Sequence, residues 1–168
     1  MSLAVDGAQL YEQYKDMVFR LCLRLGAGNA AWAEDLTHDV FIKTIEHAPR
    51  LPADTDIAGW LYRVTVNTCL SRLRRDGTVW ERVRQRLVAR GRPHPSPPDE
   101  VVSARREVQE LFAALQRLPP KERVVFAMHY LDGLSQKEIC EQLGLSKGYV
   151  SKLLRRALEK LEVEHAAR

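Results

Sequence analysis

Apolar residues recur at three- and four-residue intervals along most of the chain, which is the period of a helix with one buried face. Leu10, Tyr14, Met17, Val18, Leu21 and Leu25 set the first such stripe, and Gly26, Ala27 and Gly28 end it. A second helix is predicted from about Ala30 to Ala48, with Leu36, Val40, Phe41 and Ile45 inward, stopped by Pro49 and Pro52. A third is predicted from about Asp56 to Arg75, with Ile57, Trp60, Leu61, Val64 and Leu73 apolar-facing. A weaker helical stretch, Val79 to Ala89, follows it. Beyond residue 100, Val101 to Leu118 has helical period up to Pro119 and Pro120, and Lys121 to Leu131 forms the next helix. No segment alternates like a strand, so the predicted fold is all-α.

Between these helices, Pro93, Pro95, Pro97 and Pro98 fall within eight residues. Such a stretch is neither helix nor central strand and reads as an extended linker. It divides the chain into two small helical domains, 8–76 and 101–165, with 77–100 between them. At this size each domain is marginal as an independent unit.

The end of the chain has sharper local signals. Asp132, Gly133 and Leu134 form a turn, and Ser135 with Glu138 makes the S-x-x-E pattern in which the serine caps a helix and the glutamate reaches back. That helix runs to Leu143, Gly144 supplies the tight turn, and Ser146 caps a second helix to about Glu162. Helix, short glycine-containing turn, helix is the helix-turn-helix pattern. On the second helix Val150, Leu153, Leu154, Ala157, Leu158 and Leu161 form an apolar back. Lys147, Ser151, Lys152, Arg155 and Arg156 lie on or beside the opposite face. A helix that reads the DNA major groove needs both.

Charge sharpens the picture. The 168 residues carry a formal net charge of +4, unevenly placed. Residues 1–59 are acidic, whereas 60–92 hold nine arginines against two acids. Arginine's planar fork suits phosphate, so a polyanion is the first partner to consider. On the third helix Arg63, Asn67, Ser71 and Arg74 share one polar stripe, with Arg75 at its end and Trp60 and Tyr62 near its start. Basic groups beside aromatics suit unstacked, single-stranded nucleic acid. On the second helix Glu34, Asp35, Asp39 and Lys43 share a polar side with His38, which is either a solvated face or a docking face for a basic protein surface.

Several classes are excluded or left without support. No apolar run approaches the roughly 20 residues of a membrane span, and Met1 to Leu10 lacks a secretory pattern. Cys22, Cys69 and Cys140 are odd in number and far apart, which fits small core residues in a reducing cytoplasm rather than a disulfide framework. No phosphate loop, nucleophile elbow or metal-spaced Cys/His cluster occurs, so neither a catalytic site, nor a metal, nor any cofactor is expected.

Together the motifs resemble the sigma-70 factors of bacterial RNA polymerase, specifically the extracytoplasmic-function (ECF) group. Asp35 to Lys43 is similar to that family's D-L-x-Q-E-x-F segment, which docks on the core polymerase clamp. Gly59 to Thr68 is similar to its W-L-Y-R-I-A-x-N segment of the minus-10 region. Leu118 to Arg123 and Asp132 to Ile139 resemble the L-P-x-x-x-R and D-G-x-S-x-x-E-I landmarks before the minus-35 helix-turn-helix. Two positions depart from the pattern: His38 stands where the family usually has Gln, and Lys152-Leu153 where a Ser-Arg pair is frequent. The resemblance implies polymerase contacts at Asp35, His38, Asp39, Phe41 and Ile42. It implies melted minus-10 contacts at Trp60, Arg63, Asn67, Ser71, Arg74 and Arg75. Duplex minus-35 contacts would come from Lys147, Ser151, Lys152, Arg155 and Arg156. The implied partners are core RNA polymerase, promoter DNA and an anti-sigma factor, with no direct membrane insertion and a cytoplasmic location. The alternative is a helix-turn-helix regulator that acts without being a polymerase subunit, which leaves the first 76 residues unexplained.

Overall fold

The structure is a computed structural model that describes residues 6–87 and 102–166, and side chains within 6–77 and 106–162. Among the described residues it is all-α, with seven helices: α1 Gly7–Leu25, α2 Ala30–His47, α3 Ile57–Leu87, α4 Val102–Arg117, α5 Pro120–Phe126, α6 Gln136–Leu143 and α7 Lys147–Ala166. A 3₁₀ turn, Ala48–Arg50, closes α2, and a turn of π-helix, Ala127–Leu131, extends α5. The proline-rich segment lies outside the described residues.

Local chemistry starts and stops these helices. The Asp6 carboxylate accepts from the Ala8 amide to cap α1, and the Asn29 side chain accepts from the Trp32 amide to cap α2. Asp56 does the same for α3 through the Gly59 amide. Arg123 donates to the carbonyls of Gln116 and Leu118 at the end of α4, satisfying acceptors the helix leaves open. The arginine of the L-P-x-x-x-R pattern is therefore a structural clamp.

α3 differs from the expectation of two separate stretches: it runs without a break through Gly77. Asp76 accepts from Arg72 Nε one turn earlier, at 3.3 Å, and from Trp32 Nε1 of α2, at 2.8 Å. One glycine costs a helix about 1 kcal/mol, too little to end a helix tethered at the preceding residue.

α1, α2 and α3 pack around Val18, Leu21, Leu25, Leu36, Val40, Leu61 and Val66, all fully buried or nearly so. The same apolar cluster continues through Val124, Val125, Met128, Ile139, Val150 and Leu154 of the C-terminal half. The two halves thus share a core rather than standing as two unconnected bundles. A smaller cluster seats Ala27, from the α1–α2 turn, against Leu115, Leu118, Phe126 and Ala157.

Candidate nucleic-acid interface

Three helix faces carry the residues singled out from the sequence. On α2 the buried positions are Ala33, Leu36, Thr37, Val40, Phe41 and Thr44. Thr37 and Thr44 satisfy their hydroxyls on the carbonyls of Ala33 and Val40, so polar side chains sit inside the helix packing without loss. Asp35, His38 and Ile42 face solvent, and Asp39 is half-buried with a 3.7 Å contact to Arg72 of α3. Phe41 does not belong to this face. It is 4% exposed and stacks edge-on against Tyr11 at 4.9 Å, so it supports α2 from behind. Ile45, expected inward, is instead 55% exposed beside Ile42 at 57%. The exposed face of α2 is thus a mixed surface of carboxylates and two isoleucines.

On α3, Arg63, Asn67, Ser71, Arg74 and Arg75 are all exposed, and they form the stripe that their spacing predicts. Leu61, Thr65, Val66, Cys69, Leu70 and Leu73 occupy the buried side. Trp60 is half-buried and packs on the core, so it anchors the start of the helix more than it offers a ring. Arg72 turns away from the stripe to bridge α2 and α3 through Asp39 and Asp76. Sequence reasoning did not single out Tyr62 or Arg24 as site residues. The Tyr62 hydroxyl donates to Asp132 Oδ2 at 2.8 Å, and burial and that carboxylate push its phenol well above the usual range.

On the helix-turn-helix, the capping box is complete: the Glu138 amide donates to Ser135 Oγ, and the Glu138 carboxylate accepts from the Ser135 amide. Gly144 ends α6 at φ 63°, a left-handed conformation that favours glycine. The Tyr149 amide donates to Ser146 Oγ at the start of α7. Val150, Leu153 and Leu154 seat α7 in the cluster that holds Ile139, and Ala157 packs with Leu115 and Phe126, leaving Lys147, Ser151, Lys152, Arg155 and Arg156 exposed. Leu153 is 3% exposed, so the residue found where a family arginine is frequent lies in the packing face, and Lys152 carries the surface there. Ser151 Oγ donates to Gln136 of α6 at 2.7 Å, fixing the two helices in register. Tyr149, 36% exposed and under Lys121 Nζ at 5.2 Å, adds an aromatic edge that the sequence reading missed. Among the described residues no group of three or more His, Cys, Asp or Glu is placed to hold a metal ion, and no helix is long and apolar enough to cross a membrane.

Residues 10–78 match the family model for Sigma-70 region 2, and residues 109–161 match that for Sigma-70, region 4. The ECF RNA polymerase sigma factor SigW of Bacillus subtilis is 31% identical over 169 residues, which cover 92% of this chain and 86% of SigW. This chain belongs to the ECF sigma factors. SigE of Mycolicibacterium smegmatis, another ECF RNA polymerase sigma factor, is 33% identical over 153 residues, 91% of this chain but 59% of SigE. Two solved structures share the fold of this sigma factor. CnrH, solved in complex with the cytosolic domain of CnrY, has a TM-score of 0.60 at 21% identity and covers 96% of this chain and 88% of its own. RpoE of Bartonella quintana, solved with the anti-sigma factor NepR, has a TM-score of 0.62 at 19% identity, covering 92% and 93%. Region 2 thus spans α1, α2 and most of α3, and region 4 the part from α4 to α7.

Proposed function

We propose that this sigma factor binds core RNA polymerase and directs it to promoters. Region 2 holds the melted minus-10 strand and region 4 the minus-35 duplex. The observation that carries this reading is the pairing, in one chain with both sigma regions, of two exposed cationic helix faces on α3 and α7. On α3, Asn67 is the base reader, an amide flanked by Arg63, Arg74 and Arg75 for phosphate; capturing an unstacked base offsets part of the cost of melting. On α7, Lys147, Ser151, Lys152, Arg155 and Arg156 meet the duplex from a helix held rigidly by its apolar back. Core polymerase docks on the α2 face through Asp35, His38, Asp39 and Ile42, with Ile45 adding apolar area. The linker keeps the two DNA-reading regions connected. Bond-making belongs to polymerase. An anti-sigma factor is the natural regulator, because both CnrH and RpoE were solved with a protein partner. The action is cytoplasmic.

The test is run-off transcription with purified bacterial core polymerase on a pool of genomic fragments, with and without the chain. New start sites preceded by a shared pair of motifs support the reading. Replacing Arg155 and Arg156 together by alanine should weaken promoter binding by about 1–3 kcal/mol for each lost bidentate base contact. Unchanged promoter affinity would overturn the role of α7. Duplex binding without any core-dependent transcripts would favour a plain helix-turn-helix regulator.

A further inference from the structure

In this structure the two DNA-reading surfaces touch. Arg63, on the minus-10 stripe, donates from Nε to Gln142 of α6 at 3.2 Å, and α6 is bonded in turn to Ser151 of α7. α6 has eight residues, a helix about 12 Å long. Promoter elements centred near −10 and −35 are about 25 base pairs apart, or about 85 Å along a duplex at ~34 Å per turn. A chain folded this way cannot hold both elements, so region 4 must leave region 2 before a promoter is bound.

The contact that must break includes the shared apolar cluster and, at its edge, an ionic latch. Asp132, in the turn before α6, has a side chain only 8% exposed. One carboxylate oxygen forms an ion pair with Arg24 Nη2 at 2.7 Å, and the other accepts a hydrogen bond from the Tyr62 hydroxyl at 2.8 Å. The π-turn at Ala127–Leu131 places it there: it ends with the Asp132 amide on the Ala127 carbonyl. Arg24 and Tyr62 come from two region 2 helices, α1 and α3, and converge on one monoanion. When region 4 leaves, they lose that anion. Arg24 Nε is already buried with no hydrogen-bond partner, so its guanidinium is not otherwise satisfied on that edge. Tyr62 is the residue before Arg63, so the vacated pair continues the strand-binding stripe toward α1. A phosphodiester carries the same charge as a carboxylate and likewise offers two oxygens to convergent donors.

We propose that Arg24 and Tyr62 form a binding site for a backbone phosphate of the melted promoter strand, and that Asp132 occupies this site in the free chain. Region 4 is then an intramolecular competitor for the strand that region 2 binds. The inference rests on the assignment of α3 to the minus-10 strand made above.

The experiment measures binding of the full chain, without polymerase, to a fluorescein-labelled pool of random single-stranded DNA 20-mers by anisotropy at low salt. Asp132→Ala should raise affinity about tenfold, the gain expected if the latch leaves roughly one chain in ten open. Glu107→Ala removes the same charge from the exposed face of α4 and should leave affinity nearly unchanged. Adding Arg24→Ala to Asp132→Ala should abolish most of the gain, because the vacated site then lacks its cation. Asp132→Asn keeps the side-chain shape and should give the same direction of change if the alanine variant does not fold. An Asp132 effect no larger than that of Glu107, or a gain that survives Arg24→Ala, would overturn the proposal. Run-off transcription by the unaltered chain separates the two claims. A chain that directs core normally but binds single strands independently of Asp132 refutes the latch alone. A chain that never directs core refutes the sigma assignment.

Discussion

The sulfurs of Cys22 and Cys69 face each other across α1 and α3 at 3.6 Å, and neither residue has measurable exposure. Burial pushes the Cys69 thiol well above its ordinary range. A protonated thiol with no solvent access is a poor nucleophile. Cys140, half-buried on α6, has no such protection. In the native protein at neutral pH, Ellman's reagent should therefore titrate one thiol quickly and the other two only in denaturant. Three thiols reacting at one rate would show that α1 and α3 open readily. The neighbouring lesson concerns helix phase. Phe41 and Ile45 both looked inward by apolar character, yet only Phe41 is. The α2 positions Ala33, Leu36, Thr37, Val40, Phe41 and Thr44 step by three and four. Ile45 is out of that phase, and Thr44 holds the buried place. The signal was in the sequence, but a threonine that bonds its own helix backbone hides a core position behind a polar name.

At the scale of the element, the helix-turn-helix was legible because its signals are local. Ser135, Glu138 and Gly144 each act within four residues of their own backbone. Ser135→Ala removes a helix cap, worth about 0.5–2 kcal/mol, and Ile139 of α6 packs in the cluster that holds the first half of α7. The Glu138 carboxyl is held below its usual pKa by bonds from the Ser135 hydroxyl and amide. A depressed folded pKa contributes stability that is complete above the ordinary carboxylate pKa and is lost as pH falls through the folded value. The gap in stability between Ser135→Ala and the unaltered chain should therefore be wider at pH 7 than at pH 3. Urea unfolding at the two pH values checks this, and an equal gap would mean that the carboxylate contributes nothing through the cap. α3 was misread for the opposite reason. Its continuation past Arg75 depends on the indole of Trp32, 44 residues earlier, donating to Asp76, and nothing near Gly77 announces such a partner.

At the scale of the molecule, the contact between the halves is what the sequence hid most completely. A proline-rich linker sets reach and leaves orientation open, and the polar groups that join the shared apolar cluster in closing the molecule are single residues scattered over the chain. Arg24, Tyr62 and Asp132 make one contact, and the Gln116 amide makes another by donating to the Ala27 carbonyl at 3.3 Å. Beside it Gly28 sits at φ 82°, with the ring of Phe112 so near that a Cβ would fall 2.7 Å from Cδ2. Gly28→Ala meets two obstacles. The left-handed conformation costs an alanine about 1–2 kcal/mol, and the new methyl displaces Phe112 from the α1–α2 turn. Because a single apolar cluster runs through both halves, the unaltered chain should unfold in one cooperative step. Gly28→Ala should lower the midpoint and, by prising α4 from the turn, raise the radius of gyration seen in solution scattering. Combining it with Asp132→Ala should go further and separate the melting of region 2 from that of region 4, since the substitutions loosen two different parts of the same closure. If Gly28→Ala matches the unaltered chain in both midpoint and radius, the turn bears no load. The closed arrangement would then rest on α3, the Arg24–Asp132 pair and the shared apolar cluster.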